Sequence, residues 1–267
     1  MLPPRFLFPP SLIVAAASVV SLTSMANIAL LEIRGRPLQY SKFSEVGSGS
    51  HNQNAATRKK IVLPGRTGML VAYTPAFLTG AASFALFPDE GLRFLLLKSA
   101  ITIHFLKRIL EVIFIHKYSG GMPVDSMIVI SLSYFITTAI MIYAQNLTQG
   151  LPDPPIDLQY PGIILFLIGI SGNFYHHFLL SRLRGNTMKE YKIPRGGLFE
   201  MVICPHYLFE ILTFWGIALI SQTLFSFCFG IGTTWYLMGR SYGTRKWYLS
   251  KFEDFPNHVK AIIPFIF

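Results

Sequence analysis

YKIPRGGLFEMVICPHYLFEILTFWGIALI, residues 191–220, sets ionisable side chains beside and inside an apolar run long enough to cross a bilayer. His206 and Glu210 fall four residues apart, on one face of a helix. A carboxylate at membrane depth costs about 3 kcal/mol or more unless it is paired or hydrated. Groups of this kind line an internal cavity rather than meet lipid, and a cavity implies a ligand. The chain then closes with GRSYGTRKWYLSKFEDFPNHVKAIIPFIF, residues 239–267, where basic and apolar clusters again alternate.

Working outward, the 267 residues are 52% hydrophobic, 14% aromatic and only 13% charged, too apolar for an ordinary soluble domain. Apolar runs and their breakers predict seven spans, at 8–31, 69–87, 92–115, 127–145, 162–181, 199–220 and 224–238. The expected fold class is therefore all-α, a polytopic membrane protein built as a bundle of seven transmembrane helices. The net charge of +10 is spread over the connecting loops, which argues for orientation in a membrane and against nucleic-acid binding. The connections alternate in charge, with Asp89 and Glu90 in the second and Asp153 and Asp157 in the fourth. The C-terminus is expected in the cytosol and the N-terminus on the lumenal or outer side. Only Arg5 precedes the first apolar segment and Arg34 and Arg36 follow it, the pattern of a retained signal anchor. Residues 44–60 read as a flexible cytosolic loop, and the sequon at Asn146 lies too close to the membrane to be used. Cys204 and Cys228 both fall in apolar spans and predict neither a disulfide nor a metal site.

Two stretches carry further polar groups. In the third span His104, Arg108 and Glu111 follow one helix face, with Lys107 beside them. Such a stripe is either a structural ion-pair network or one wall of a polar cavity, and the two readings are compatible. The fifth span ends in GNFYHHFLLSRLRG, residues 172–185. Adjacent histidines point in different directions on a helix, so His176 and His177 predict no metal. Arg182 and Arg184, with Lys189, Lys192, Arg195, Arg240, Arg245 and Lys246, form a basic cytosolic basin suited to a multiply phosphorylated ligand. No glycine fingerprint follows a strand, so a dinucleotide would enter between helices rather than bind a Rossmann domain.

KIPRGGLFE, CPHYLFEI, the Gly239–Arg240 pair, RKWYLSKFEDFP and the closing IIPFIF occur in the order found in the C-terminal domain of the steroid 5-alpha-reductase family, which residues 191–267 resemble. The run IHFLKRILEVIFIHKYSGGMP, residues 103–123, resembles the matching helix of the very-long-chain trans-2-enoyl-CoA reductases, a branch of the same superfamily. The resemblance begins near Leu63. It divides the chain into an anchor helix and basic loop at 1–62 and a catalytic region at 63–267, whose part from about 160 binds cofactor, all in one structural unit.

The resemblance implies seven transmembrane helices and NADPH-dependent reduction of a carbon–carbon double bond conjugated to a carbonyl. The implied cofactor contacts are Asn173, Arg184, Tyr191, Lys192, His206, Glu210, Arg240 and Tyr248. His206 stands where many members have asparagine, and Thr244 where the steroid reductases have histidine. The family's substrate-binding glutamate and tyrosine are matched here by Tyr73 and Phe105, and phenylalanine cannot donate a proton. Tyr207 matches the proton donor proposed for the enoyl-CoA reductases. Tyr207 and Tyr73 are thus the catalytic candidates, with Glu210 assisting, and His104, Phe105, Arg108 and Glu111 the expected substrate-cavity wall. The implied activity is that of a steroid 5-alpha-reductase acting on a 3-oxo-4-ene steroid. The alternatives are an enoyl-CoA reductase of fatty acid elongation and a non-catalytic sterol- or cofactor-binding relative. The implied setting is the endoplasmic reticulum membrane, with the lipid bilayer and an enone lipid as partners, no nucleic acid and no metal.

Overall fold

Helix starts are fixed by local chemistry. A computed structural model describes residues 5–38, 61–88, 91–118, 120–183 and 191–267. Among them run seven helices: α1 (Leu12–Ile33), α2 (Gly65–Leu86), α3 (Leu92–Leu110), α4 (Val124–Asn146), α5 (Gln159–Leu183), α6 (Pro205–Ser221) and α7 (Leu224–Lys251). Ser11 caps α1 by accepting from the Val14 N–H at 3.2 Å. Pro205 opens α6, where its missing N–H costs nothing. Residues Gly197–Glu200 form a separate short 3-10 turn, so the sixth span expected at 199–220 begins instead at the proline. Helix α7 continues well past the expected 238 to Lys251.

Two three-residue strands, β1 (Val62–Pro64) and β2 (Gly121–Pro123), pair antiparallel and bring the starts of α2 and α4 together. This small addition to the all-α expectation sets the register of two helices that line the site. Pro75 lies inside α2 and leaves the Val71 carbonyl without its helical donor; Ser131 of α4 fills the gap, its Oγ donating to Val71 O at 3.1 Å.

Four helices, α1, α2, α4 and α5, are long and apolar enough to cross a membrane. Helix α3 carries too many charges to qualify by composition, and α6 has only 17 residues. Helix α5 packs along α6, α1 along α7, and α2 against both α3 and α4. The central core joins Tyr73, Leu97, Ile101, Phe105, Phe166, Phe214 and Phe225. The closing residues run beside the start of α6: Ile203 N–H donates to Lys260 O at 2.8 Å and Lys260 N–H to Met201 O at 2.9 Å.

A polar hub ties the opposite end of the bundle. Gln222, in the left-handed region at φ 50°, donates to Phe6 O at 2.6 Å and Ile156 O at 2.9 Å, and its Oε1 accepts from Leu158 N–H and from Arg93. Arg93 also donates to Ile220 O at 2.9 Å and pairs with Asp153 and Asp157. The Gln159 N–H, and then Arg93, hold the Asp157 carboxyl below the usual carboxylate range. Its contribution is therefore present above the ordinary carboxylate pKa and is lost as the pH falls below it. Arg93→Ala strips the donor from the Ile220 carbonyl, a loss of about 1–3 kcal/mol, while Gln222 Oε1 keeps the Leu158 N–H. A clearly lowered thermal midpoint in detergent is the expected result, and an unchanged midpoint would show that the hub contributes nothing.

Candidate active site

At the last turn of α3 the sequence KRILE sets Lys107 and Arg108 within a turn of Glu111. Helix α3 there gives way to a wider turn over Glu111–Ile115, in which His116 N–H reaches Glu111 O at 2.7 Å. Both oxygens of the buried Glu111 are engaged, Oε1 by Lys107 at 2.8 Å and Oε2 by Arg108 at 2.9 Å. His177 of α5 brings Nδ1 within 3.1 Å of the same carboxylate and 3.0 Å of the Arg108 guanidinium. Lys107 also bonds Asn173 Oδ1, and Asn173 Nδ2 donates to His206 O at 2.7 Å, which joins α3, α5 and α6. The donor atoms of Glu111, His116 and His177 lie within 4.8 Å of one another, a spacing a metal ion could use. Lys107 and Arg108 already neutralise that carboxylate, so a divalent ion would have to displace two cations.

Arg108 reaches forward as well. Its Nη2 donates to Tyr73 Oη at 2.5 Å, and its guanidinium carbon lies 4.9 Å from the centre of the Tyr73 ring. Glu210 and Tyr134 also stand within electrostatic reach of it. Two cations, Lys107 and Arg108, thus pair with Glu111, and Glu210 lines the same apolar cavity as Arg108.

Two cavities meet at this point. The larger, about 250 Å³, is polar and basic, with Lys117, His177, Tyr191, Lys192, His206, Arg240 and Tyr248 in its wall. The smaller, about 150 Å³, is apolar, enclosed by Met25 and Ile28 of α1, Val129, Ile130 and Tyr134 of α4, Tyr73 of α2, and Phe214, Phe229 and Leu237. Met69, Arg108 and Tyr207 line both. Thr233 adds to the smaller cavity a buried hydroxyl that has no hydrogen-bond partner among the described residues.

The expected cofactor residues divide accordingly. Tyr191, Lys192, His206, Arg240 and Tyr248 line the basic cavity. Asn173 lies behind it, bonded to Lys107 and the His206 carbonyl, while Glu210 faces the apolar cavity instead. Arg184 lies outside the described residues, as do Lys189, Asp89, Glu90 and the loop at 44–60. Arg240, almost fully buried, donates to Glu32 of α1 at 2.9 Å and to Leu38 O at 3.1 Å. Of the four residues expected in the substrate-cavity wall, Arg108 lines these two cavities and the other three line neither of them. His104 packs against Phe105 and Phe214, Phe105 against Tyr73 and Tyr134, and Glu111 sits behind Arg108. They form the layer that holds the wall rather than the wall itself. Tyr134 and Glu32 did not emerge from the sequence: a lone phenol in an apolar run and a glutamate at a helix end carry no pattern of their own.

A family model described as 3-oxo-5-alpha-steroid 4-dehydrogenase matches residues 124–267, more than half of the chain. The chain belongs to this family. The match takes in α4 to α7 and hence the walls of both cavities contributed by Tyr134, His206, Tyr207, Glu210 and Arg240. Similar proteins include a very-long-chain enoyl-CoA reductase of Dictyostelium discoideum, 36% identical over 167 residues, 62% of this chain and 55% of that protein. A steroid 5-alpha-reductase DET2 of Gossypium hirsutum is 42% identical over 107 residues, covering 40% of this chain and 42% of that protein. The chain thus spans about half the length of these two relatives. The human 3-oxo-5-alpha-steroid 4-dehydrogenase 2 is 28% identical over 233 residues, 83% of this chain and 88% of that protein.

Proposed function

We propose that this chain is a membrane-embedded reductase that uses NADPH to saturate a carbon–carbon double bond conjugated to a carbonyl, its substrate a 3-oxo-4-ene steroid. The observation that carries the reading is the meeting of a basic cavity and an apolar cavity at Arg108 and Tyr207, with Tyr73 held there by Arg108. The family membership and the activities for which its relatives are named support it.

The donor set of the basic cavity fits a nicotinamide dinucleotide phosphate. Lys117 and Lys192 offer cations for phosphate oxygens beside Arg240, whose charge is shared with Glu32, and Tyr191 and Tyr248 offer aromatic faces for planar rings. When bound, NADPH supplies the hydride that the β carbon of the enone receives. The chain's own residues do the rest. Met25, Ile28, Val129 and Ile130 take the apolar body of the substrate, with α1 and α4 framing the side of the cavity that faces lipid. As hydride arrives, negative charge grows on the carbonyl oxygen, and preorganised donors there lower the barrier. The Tyr73 oxygen already accepts from Arg108, so its own proton points away from the guanidinium and the phenol becomes a stronger donor. Tyr207, bordering both cavities, is placed to pass a proton to the α carbon.

We place the protein in the endoplasmic reticulum membrane with all seven helices embedded, the basic cavity and C-terminus facing the cytosol. The alternating loop charges and the supply of NADPH there support that orientation.

The test uses membranes carrying the full chain and NADPH labelled in its transferable hydride, with a 3-oxo-4-ene steroid and a long trans-2-enoyl thioester offered in parallel. Label in the steroid product supports the proposal. Label confined to the acyl product moves the chain to the activity in the Dictyostelium relative's name, and label in neither defeats the reductase reading. Where turnover is seen, Tyr73→Phe should lower kcat about a hundredfold to a thousandfold with little change in KM. A variant within threefold of the parent would remove Tyr73 from the mechanism.

A further inference from the structure

We propose that Tyr134 of α4 is a second hydrogen-bond donor to the substrate carbonyl, a catalytic residue that shares the developing negative charge with Tyr73. The proposal rests on the reductase reading above and assigns a group within the same site.

The ring of Tyr134 lies 5.6 Å from that of Tyr73 and meets Phe105 edge-on at 5.3 Å. It lines the apolar cavity together with Arg108 and Glu210, and its phenol is within electrostatic reach of the guanidinium. At this level α3 presents only the bare ring of Phe105, so the hydroxyl beside that ring comes from α4.

Charge pairing favours such a donor. Lys107 and Arg108 are both paired with Glu111, and Glu210 lines the same cavity as Arg108, so the two cations already have carboxylates beside them. Neutral, fixed dipoles then add to the stabilisation of the oxygen, and a carbonyl oxygen has two lone pairs to fill. One phenol supplies one hydrogen bond; a neighbouring pair supplies two.

The two phenols are also held in register. Tyr73 and Tyr134 sit on α2 and α4, whose starts are clamped by the pairing of Leu63 with Met122. Ser131 bonds the Val71 carbonyl close by on the same two helices, one turn before Tyr134. Donors fixed by backbone-level ties need little reorganisation when charge appears, the condition under which hydrogen bonds contribute most to rate.

Two measurements on the full-length protein in detergent or membranes test this. The first is the absorbance band of a bound 3-oxo-4-ene steroid without cofactor, which shifts to the red when donors polarise the carbonyl. The second is kcat and KM for the reduction. Tyr134→Phe should diminish the red shift and lower kcat about tenfold to a hundredfold with KM changed little. Adding Phe105→Tyr to Tyr134→Phe returns a phenol to the same corner and should restore much of both signals. Full turnover and an undiminished shift in Tyr134→Phe overturn the proposal while leaving the reductase reading intact. A slowed variant with an undiminished shift and no recovery on adding Phe105→Tyr shows a packing role and overturns it too. Absence of both shift and turnover in the parent protein with every enone removes the reductase reading, and this assignment with it.

Discussion

Arg108→Met is expected to lower turnover at least about a thousandfold and to weaken the fold at the same time. The side chain has three partners within 3.0 Å, Tyr73, Glu111 and His177, and it borders both cavities. Methionine keeps much of the volume and removes every donor. Tyr73 then loses the contact that orients its proton, and the oxygen of Glu111 that faced Arg108 loses its cation, although Lys107 still holds the other. Breaking a buried ion pair from one side costs about 3–5 kcal/mol when the remaining charge is left unpaired, and the surviving Lys107 pair holds the loss below that range. The two consequences are separable. Pairing Arg108→Met with Glu111→Gln removes the carboxylate oxygen left without its cation and should recover part of the thermal midpoint, yet turnover should stay at the level of the single variant. Arg108→Lys should fall between, because an ammonium on a flexible stem cannot bond the phenol, the carboxylate and the imidazole in one planar arrangement. Recovery of turnover in the double variant would mean that Arg108 acts only by holding the fold.

The same residue shows what a sequence discloses and what it conceals. His104, Arg108 and Glu111, with Lys107 beside them, are visible as a polar stripe because charges in a span of lipid length violate a strong energetic rule. That rule says such groups must be met, without saying by what. His177 lies 69 residues from Arg108 and Glu32 lies 208 residues from Arg240, and no local period encodes either distance. Tyr134 was hidden for a different reason: in SLSYFITTA a tyrosine is a plausible apolar residue of a spanning helix, and only the cavity distinguishes it. Helix limits failed where backbone chemistry outranked hydropathy. Phe199 to Cys204 read as apolar span, but the turn at Gly197–Glu200 and the ring of Pro205 delay α6. The strands beside Pro64 and Pro123 are too short for an alternating pattern to be read, though they set the register of α2 and α4.

Gly169→Ala is expected to cost about a hundredfold in turnover although residue 169 touches neither cavity. Helices α5 and α6 approach so closely that a Cβ on Gly169 would lie 2.4 Å from the Thr213 backbone nitrogen, and one on Gly216 2.5 Å from that of Phe166. Small residues that let two backbones meet are a means by which helices associate in lipid, where burial of apolar surface offers no gain. Ordinary contact begins near 3.4 Å, so the added methyl must drive the helices apart by about 1 Å, because the atom it meets is backbone and cannot swing aside. That displacement falls on the pair of helices that jointly build the junction. Asn173 and His177 ride on α5, and His206, Tyr207 and Glu210 on α6. The Asn173–His206 bond at 2.7 Å and the shared border of the two cavities at Tyr207 depend on their separation. A misplacement of about 1 Å at reacting groups is enough for a hundredfold loss. Gly91→Ala is the control, since a Cβ there meets nothing within 4 Å and Gly91 stands at the start of α3. Equal turnover in the two variants would show that the bundle absorbs the methyl elsewhere. A loss confined to Gly169→Ala, accompanied by a raised KM for NADPH, would show that the close approach of α5 and α6 sets the geometry at which the basic and apolar cavities meet.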